Sequence, residues 1–340
     1  MTWRDLFFAS TGRVRSGWRA LIFLFVALLL LNLLGVVVSI PLLLAGVKPQ
    51  TSPVLELLLF GLAATPAVLA AGAWTASRFE RLPLATLGLS PHAAWPARLA
   101  GGFLGGAALV ALFLCALRAA GFATLTVRLP SSQEWAALGL LACCLLVASA
   151  GAVLLLLGYG FQTLLRGAGV PVALGVCALA YTLLMAMQTP GSAPLQHVLA
   201  HPLLYVTLLL NCLLLGLLYL RSGSLWLPIG VNAGWNFGLA LFYLPLGTEA
   251  PLAPTPLRAT LIGDPQLVGG PLGPESGAFV ALLHLVLLAG VALAPCGRPL
   301  ASRWWMWPAL SAAPATPRAW DFAIGARRYQ WRLAVPEDTE

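Results

Sequence analysis

A few polar side chains interrupt long apolar runs: Asn32, Glu56, Gln162, Gln188, Asn211, Asn232, Asn236 and His284. Such groups are expensive inside a membrane and are candidates for function by default. Asn232 and Asn236 form the best constellation, because their i, i+4 spacing sets both amides on one helix face. Two amide donors facing a cavity could polarise a carbonyl. The same pair could equally tie two helices together, at about 0.6–2 kcal/mol per bond. Gly230 and Gly234 stand on a nearby face, where another helix could approach closely. His197 and His201 also have i, i+4 spacing, as zinc ligands on a helix can. Position 198 is Val, no third ligand is near, and Pro202 follows, so they read as interfacial histidines. Glu56, one turn into an apolar block, reads as a snorkelling or capping residue. His284 stands alone on an apolar face and reads as a hydrogen-bonded core histidine. Glu275 lies in a glycine-rich loop before a helix, where a carboxylate is favoured anyway.

The elements that must hold these residues are membrane helices. The chain has 340 residues, 60% of them hydrophobic and only 9% charged. A soluble domain carries about 25% charged residues, so an ordinary cytosolic enzyme is excluded. A disordered chain is excluded by the apolar content. A span needs about 20 apolar residues, and runs of that kind fall at 20–46, 54–76, 96–118, 135–165, 169–188, 199–220, 225–246 and 276–295. They are continuous rather than alternating, which argues against a β-barrel. The expected fold is all-α, a polytopic bundle of about eight transmembrane helices. Pro41 should kink the first span. The fourth is longer than a straight crossing needs and should tilt, protrude or turn near Gly151 or Gly158. The expected organisation is a basic N-terminus at 1–19, a bundle at 20–295 and a tail at 296–340.

The net charge of +8 suits topology rather than nucleic acid, because the basic residues sit between apolar blocks. Fifteen of the nineteen fall on one side when eight spans alternate, with only Lys48, Arg118, Arg128 and Arg258 on the other. That bias predicts both termini in the cytoplasm and a multi-pass protein of the inner membrane. The nearly exclusive use of Arg points to a GC-rich, bacterial genome. The first apolar block is too long for a signal-peptide core. Trp18, Trp74, Trp95, Trp135 and Trp226 fall near span ends, as an aromatic belt would. The stretch from Arg303 to Trp307 reads as an interfacial anchor, and the rest of the Pro/Ala-rich tail reads as poorly ordered. The six cysteines include no CxxC and no Cys/His cluster, so they read as packing residues. No internal repeat supports an inverted-repeat transporter.

The run from Tyr219 to Phe237 includes Arg221, a small polar turn and Leu225-Trp226-Leu227-Pro228-Ile229-Gly230 ahead of Asn232 and Asn236. It resembles the third motif region of the CPBP family, the intramembrane proteases related to the CAAX prenyl endopeptidases and also called the Abi family. The family pattern has His-x-x-x-Asn at that last position. The glycine-rich run from Gly269 to Gly277 is similar to a loop in one branch of the family. The run from Leu157 to Gln162 looks like the end of the first motif, Glu-Glu-x-x-x-Arg-Gly-Tyr. The resemblance covers a core of about 135–295. It implies a metallo-endopeptidase that activates water with Glu and His, with zinc as the implied cofactor. Laid onto this chain, the first motif's two glutamates and arginine fall on Ala152, Val153 and Leu157. The second motif, Phe-x-x-x-His, falls on Leu184 and Gln188, and the third motif's His and Asn fall on Asn232 and Asn236. Only Asn236 keeps the family residue.

A catalytic zinc site needs about three protein ligands, and a general base must accept a proton at working pH. None of the replacements does either, and no Glu or Asp occurs between Glu134 and Glu249. The expected protein is therefore a catalytically inactive homologue, with no metal or other cofactor. Its expected partners are membrane lipid and a hydrophobic or lipidated peptide or a membrane protein, not nucleic acid. One alternative is an active endopeptidase with residues recruited from Glu56, Glu275, His197, His201 or His284, and zinc with them. Another is a small-solute or lipid transporter.

Overall fold

The computed structural model describes residues 7–8, 14–46, 53–82, 88–89, 94–127, 131–187, 193–242, 257–294, 318–324 and 327–333. The described chain is mostly helical. It opens with α1 (Ser16–Leu44), which runs through Pro41 without ending there. Next comes α2 (Pro53–Thr75), whose last turn widens into a π-turn at Ala76–Glu80. Arg81 ends it in the left-handed region, at φ 56°. After α3 (Trp95–Ala119) and strand β1 (Ala123–Val127), α4 spans Ser132–Leu157. A capping box opens α4: the Glu134 N–H donates to the Ser131 hydroxyl, and the Ser131 N–H donates to the Glu134 carboxylate. Then come α5 (Tyr159–Ala168), α6 (Val170–Met187), α7 (Pro194–Ala200), α8 (Pro202–Ser222) and α9 (Trp226–Leu241). Strand β2 (Leu257–Leu261), the one-turn α10 (Pro265–Val268) and a 3₁₀ turn (Pro274–Ser276) lead into α11 (Ala278–Leu293).

Among the described residues six helical stretches are long and apolar enough to cross a membrane: α1, α2 with its π-turn, α3, the α4–α5 run, α6 and α8. The two remaining expected spans form the 16-residue helices α9 and α11. At 1.5 Å per residue each is about 24 Å long, short of a hydrocarbon core of about 30 Å. The fourth expected span changes direction at Gly158, where ψ is −137° between α4 and α5. A Cβ there would run into the Leu154 carbonyl oxygen, so the break needs glycine.

The all-α expectation is qualified by two antiparallel strand pairs. β1 pairs β2, with Leu125 opposite Ala259, and β3 (Arg318–Ile324) pairs β4 (Arg327–Leu333) in the tail. Five-residue strands leave no trace in a search for long apolar runs. The expected Arg303–Trp307 anchor lies outside the described residues.

The tightest seam joins α3 to α9. Gly102 and Gly106 of α3 face Gly230, Gly234 and Gly238 of α9. A Cβ on Gly102 would sit 2.6 Å from the Leu227 carbonyl oxygen, so the two backbones touch where a larger side chain would hold them apart. One buried cluster gathers Phe23, Val153, Leu157, Tyr159, Phe161, Tyr219 and Ile229. A second gathers Val110, Leu114, Trp235, Leu239 and Val280.

Candidate functional site

With one face of α9 committed to α3, its other faces carry the polar groups. Asn232 turns to α4, where its Nδ2 donates to the Ser149 hydroxyl oxygen at 3.0 Å. Ala152 and Val153 follow Ser149 by three and four residues, so they stand one turn further along α4 on the same side. Leu157 is another turn on and shares the first core cluster with Val153 and Ile229. The described contacts tie Asn232 to α4 through Ser149 and place Val153 and Leu157 in one buried cluster with Ile229 of α9. Asn236 is half-buried one turn beyond Asn232. Gln188 lies outside the described residues, and Leu184, four positions before it, lines a cavity described below. What the α4–α9 contact offers chemically is a neutral hydroxyl–amide pair between apolar walls.

The third face of α9 presents Trp235 to the loop before α11. The Trp235 Nε1–H donates to Glu275 Oε1 at 2.8 Å, and the His284 ring packs edge-on against the indole, with centroids 5.1 Å apart. His284 Nδ1 bonds the Val280 carbonyl oxygen at 2.9 Å, so that nitrogen carries the proton as donor. Burial pushes the Glu275 carboxyl above the usual carboxylate range, and the Trp235 bond opposes the shift. Tyr181 of α6 lies within electrostatic reach of Glu275. Glu275 and His284 therefore both contact one indole.

The other sequence candidates do not join them. His197 and His201 lie together at the α7–α8 junction, ring centroids 4.7 Å apart, and His197 Nδ1 shares a 2.8 Å hydrogen bond with the Tyr205 hydroxyl. Burial and the neighbouring His201 lower the tendency of His197 to protonate. Glu56 is exposed in the first turn of α2. Asn32 donates to the Leu28 carbonyl of its own helix. Among the described residues no group of three or more His, Cys, Asp or Glu side chains could hold a metal ion.

Two features escape a search for polar residues inside apolar runs. Glu80, in the π-turn that ends α2, accepts from Arg19 of α1 at 2.7 Å, from Thr163 of α5 at 2.9 Å and from Arg166 of α5. The three charged side chains are only 7%, 11% and 14% exposed for Glu80, Arg19 and Arg166. The signal was present as Arg78-Phe79-Glu80-Arg81, a lone acid between arginines at a span end. Its partners, Arg19 and Arg166, lie far from it in sequence and read there only as topology charges. The second feature is a cavity of about 570 Å³ between α1, α4, α5 and α6. Phe23, Leu156, Phe161, Leu164 and Tyr181 wall it, and Arg15, Ser16 and Trp18 stand at the α1 end. A cavity between four helices has no local sequence signature.

Compared with known proteins, the chain matches no family model, no curated protein and no solved structure.

Proposed function

We propose that this chain is a catalytically inactive, CPBP-like membrane protein that binds an apolar or lipid-linked segment within the bilayer. In this reading α9 and α11 complete eight crossings as short helices, both termini face the cytoplasm, and the protein resides in the inner membrane. The observation that carries the proposal is the 570 Å³ apolar cavity, which falls within the about 300–1,000 Å³ range of ligand sites. Support for inactivity comes from Ala152, Val153 and Leu157, which cannot ligate or accept protons, and from Asn232, whose amide is occupied by Ser149. The test uses full-length protein in nanodiscs with a farnesylated peptide carrying a photo-crosslinker. Crosslinks on α1 and α6, with no cleavage whether or not zinc is added, are expected. Absence of crosslinking removes the binding function, and cleavage removes the inactivity.

A second reading, an endopeptidase with relocated residues, is favoured by one observation: Glu275 and His284 converge on Trp235. It requires zinc-dependent cleavage that His284→Ala abolishes. Cleavage that survives His284→Ala, or none in wild type, ends it.

A further inference from the structure

The cavity is not uniformly greasy. At its α1 end the helix begins without a side-chain cap and without an acidic residue in the first turn. No carboxylate in the helix's own first turn therefore offsets the positive end of the α1 dipole. Ser16, the first residue of α1, lines the cavity and is only 9% exposed. Its hydroxyl is not among the fully buried polar atoms, so it is reachable from the cavity and can donate to a polar group seated there. Arg15, exposed and lining the same mouth, spends its Nε on the Phe8 carbonyl oxygen at 3.3 Å, an interaction that does not neutralise the charge. Trp18, also at the mouth, stacks on Phe7 with ring centroids 4.7 Å apart, as an interfacial aromatic pair would. Away from the mouth the lining becomes apolar: Phe23, Leu24, Leu155, Phe161, Val176 and Leu184.

A cation, an uncapped helix N-terminus and an accessible hydroxyl at one end, with an apolar chamber behind them, match one chemistry. It is a phosphate monoanion joined to a long hydrocarbon chain. We infer that the cavity holds one acyl chain of an anionic phospholipid, with its phosphate seated on Ser16 and Arg15 at the start of α1. A zwitterionic lipid offers the same chain but its head cancels the charge, so the mouth selects for net negative charge. The inference rests on the cavity of the proposed function and narrows its occupant. It does not depend on the family resemblance.

The test is native mass spectrometry of the full-length protein in mild detergent, supplied with phosphatidylglycerol or phosphatidylcholine of identical chains. Wild type should retain phosphatidylglycerol over phosphatidylcholine by about ten-fold, the combined effect of one cation and one helix terminus. Arg15→Gln with Ser16→Ala should bring the two lipids to within about two-fold, with the thermal midpoint unchanged because Arg15 is exposed. Ala180→Phe, which places a ring in the cavity, should lose both lipids. Equal retention of the two lipids by wild type overturns the inference, as does undiminished phosphatidylglycerol in folded Ala180→Phe. Retention of a farnesylated peptide but no phospholipid overturns it while leaving the binding module standing. Retention of neither overturns both.

Discussion

Replacing Glu80 by Gln tests whether the start of α1 is held in place by charge. The carboxylate is the shared acceptor of two guanidinium groups and one hydroxyl, drawn from α1 and α5, and it sits on the π-turn of α2. Gln keeps the shape but removes the negative charge, leaving Arg19 and Arg166 facing each other at 11% and 14% exposure. Removing one partner of a buried ionic cluster costs about 3–5 kcal/mol, because the remaining charge is left uncompensated. Here two cations are left, but their residual exposure lets water recover part of the loss, so about 3 kcal/mol is the working figure. At about 1.4 °C per kcal/mol for a chain of 340 residues, the thermal midpoint in detergent should fall by about 4 °C. A triple replacement, Arg19→Met, Glu80→Leu and Arg166→Met, should recover most of that loss, since apolar residues of similar volume can replace a buried ionic triad. Because Arg19 is four residues beyond Arg15 on α1, Glu80→Gln should also weaken phosphatidylglycerol retention at the cavity mouth, while the triple variant restores it. A midpoint for Glu80→Gln within about 2 °C of wild type would refute the reasoning. So would a triple variant less stable than the single one.

The remaining predictions concern the other faces of the bundle. Gly234→Leu should leave little folded protein on size-exclusion chromatography, because even a Cβ at Gly234 collides with the Phe103 backbone, whereas Gly105→Ala, with open space around it, should behave as wild type. Asn232→Leu should cost about 1 kcal/mol, and a double-mutant cycle with Ser149→Ala should give a coupling of about 0.6–2 kcal/mol; a coupling near zero removes the α4–α9 bond from the account. Glu275 supplies a pH dependence: its carboxyl is raised in the folded state, so the folded protein holds the proton more tightly than the unfolded chain. Stability should then be fullest below the ordinary carboxylate range and decline as pH rises through and above it; Glu275→Gln should flatten that decline, read as thermal midpoints across a pH series. Trp235→Phe removes the donor to Glu275 and should steepen the same decline, since the ionised carboxylate loses its hydrogen bond.

The apolar runs were readable because a span leaves a long compositional signature, and six of them return as helices of sufficient length. The break at Gly158 was readable for a different reason: a run too long for one crossing has to turn, and glycine is where the backbone can. The small-residue face of α9 was readable from Gly230 and Gly234, but not that α3 would meet it through Gly102 and Gly106, because helix pairing is set by the whole packing arrangement. Glu275 and His284 illustrate the same limit. Each was visible as a polar residue, but their meeting depends on Trp235, an indole that composition counts as apolar. The 276–295 run is longer than its helix because Ser276 belongs to a 3₁₀ turn and Gly277 caps α11 in extended backbone, and composition alone does not place those ends.

The distribution of polar atoms bears on what such a bundle can do. Transport of a solute through the bilayer needs polar groups that are free to exchange partners along a path. Here Asn232 is engaged by Ser149, Asn32 by its own helix, Trp235 by Glu275, and Glu80 by three donors at once. Apart from the Asn32 bond, these contacts fix separate elements to one another, at separations of up to 86 residues along the chain. The cavity between α1, α4, α5 and α6, by contrast, is lined mostly by apolar side chains and has Arg15 and Ser16 at one end. A static scaffold around a one-ended apolar chamber favours holding a chain over passing a solute.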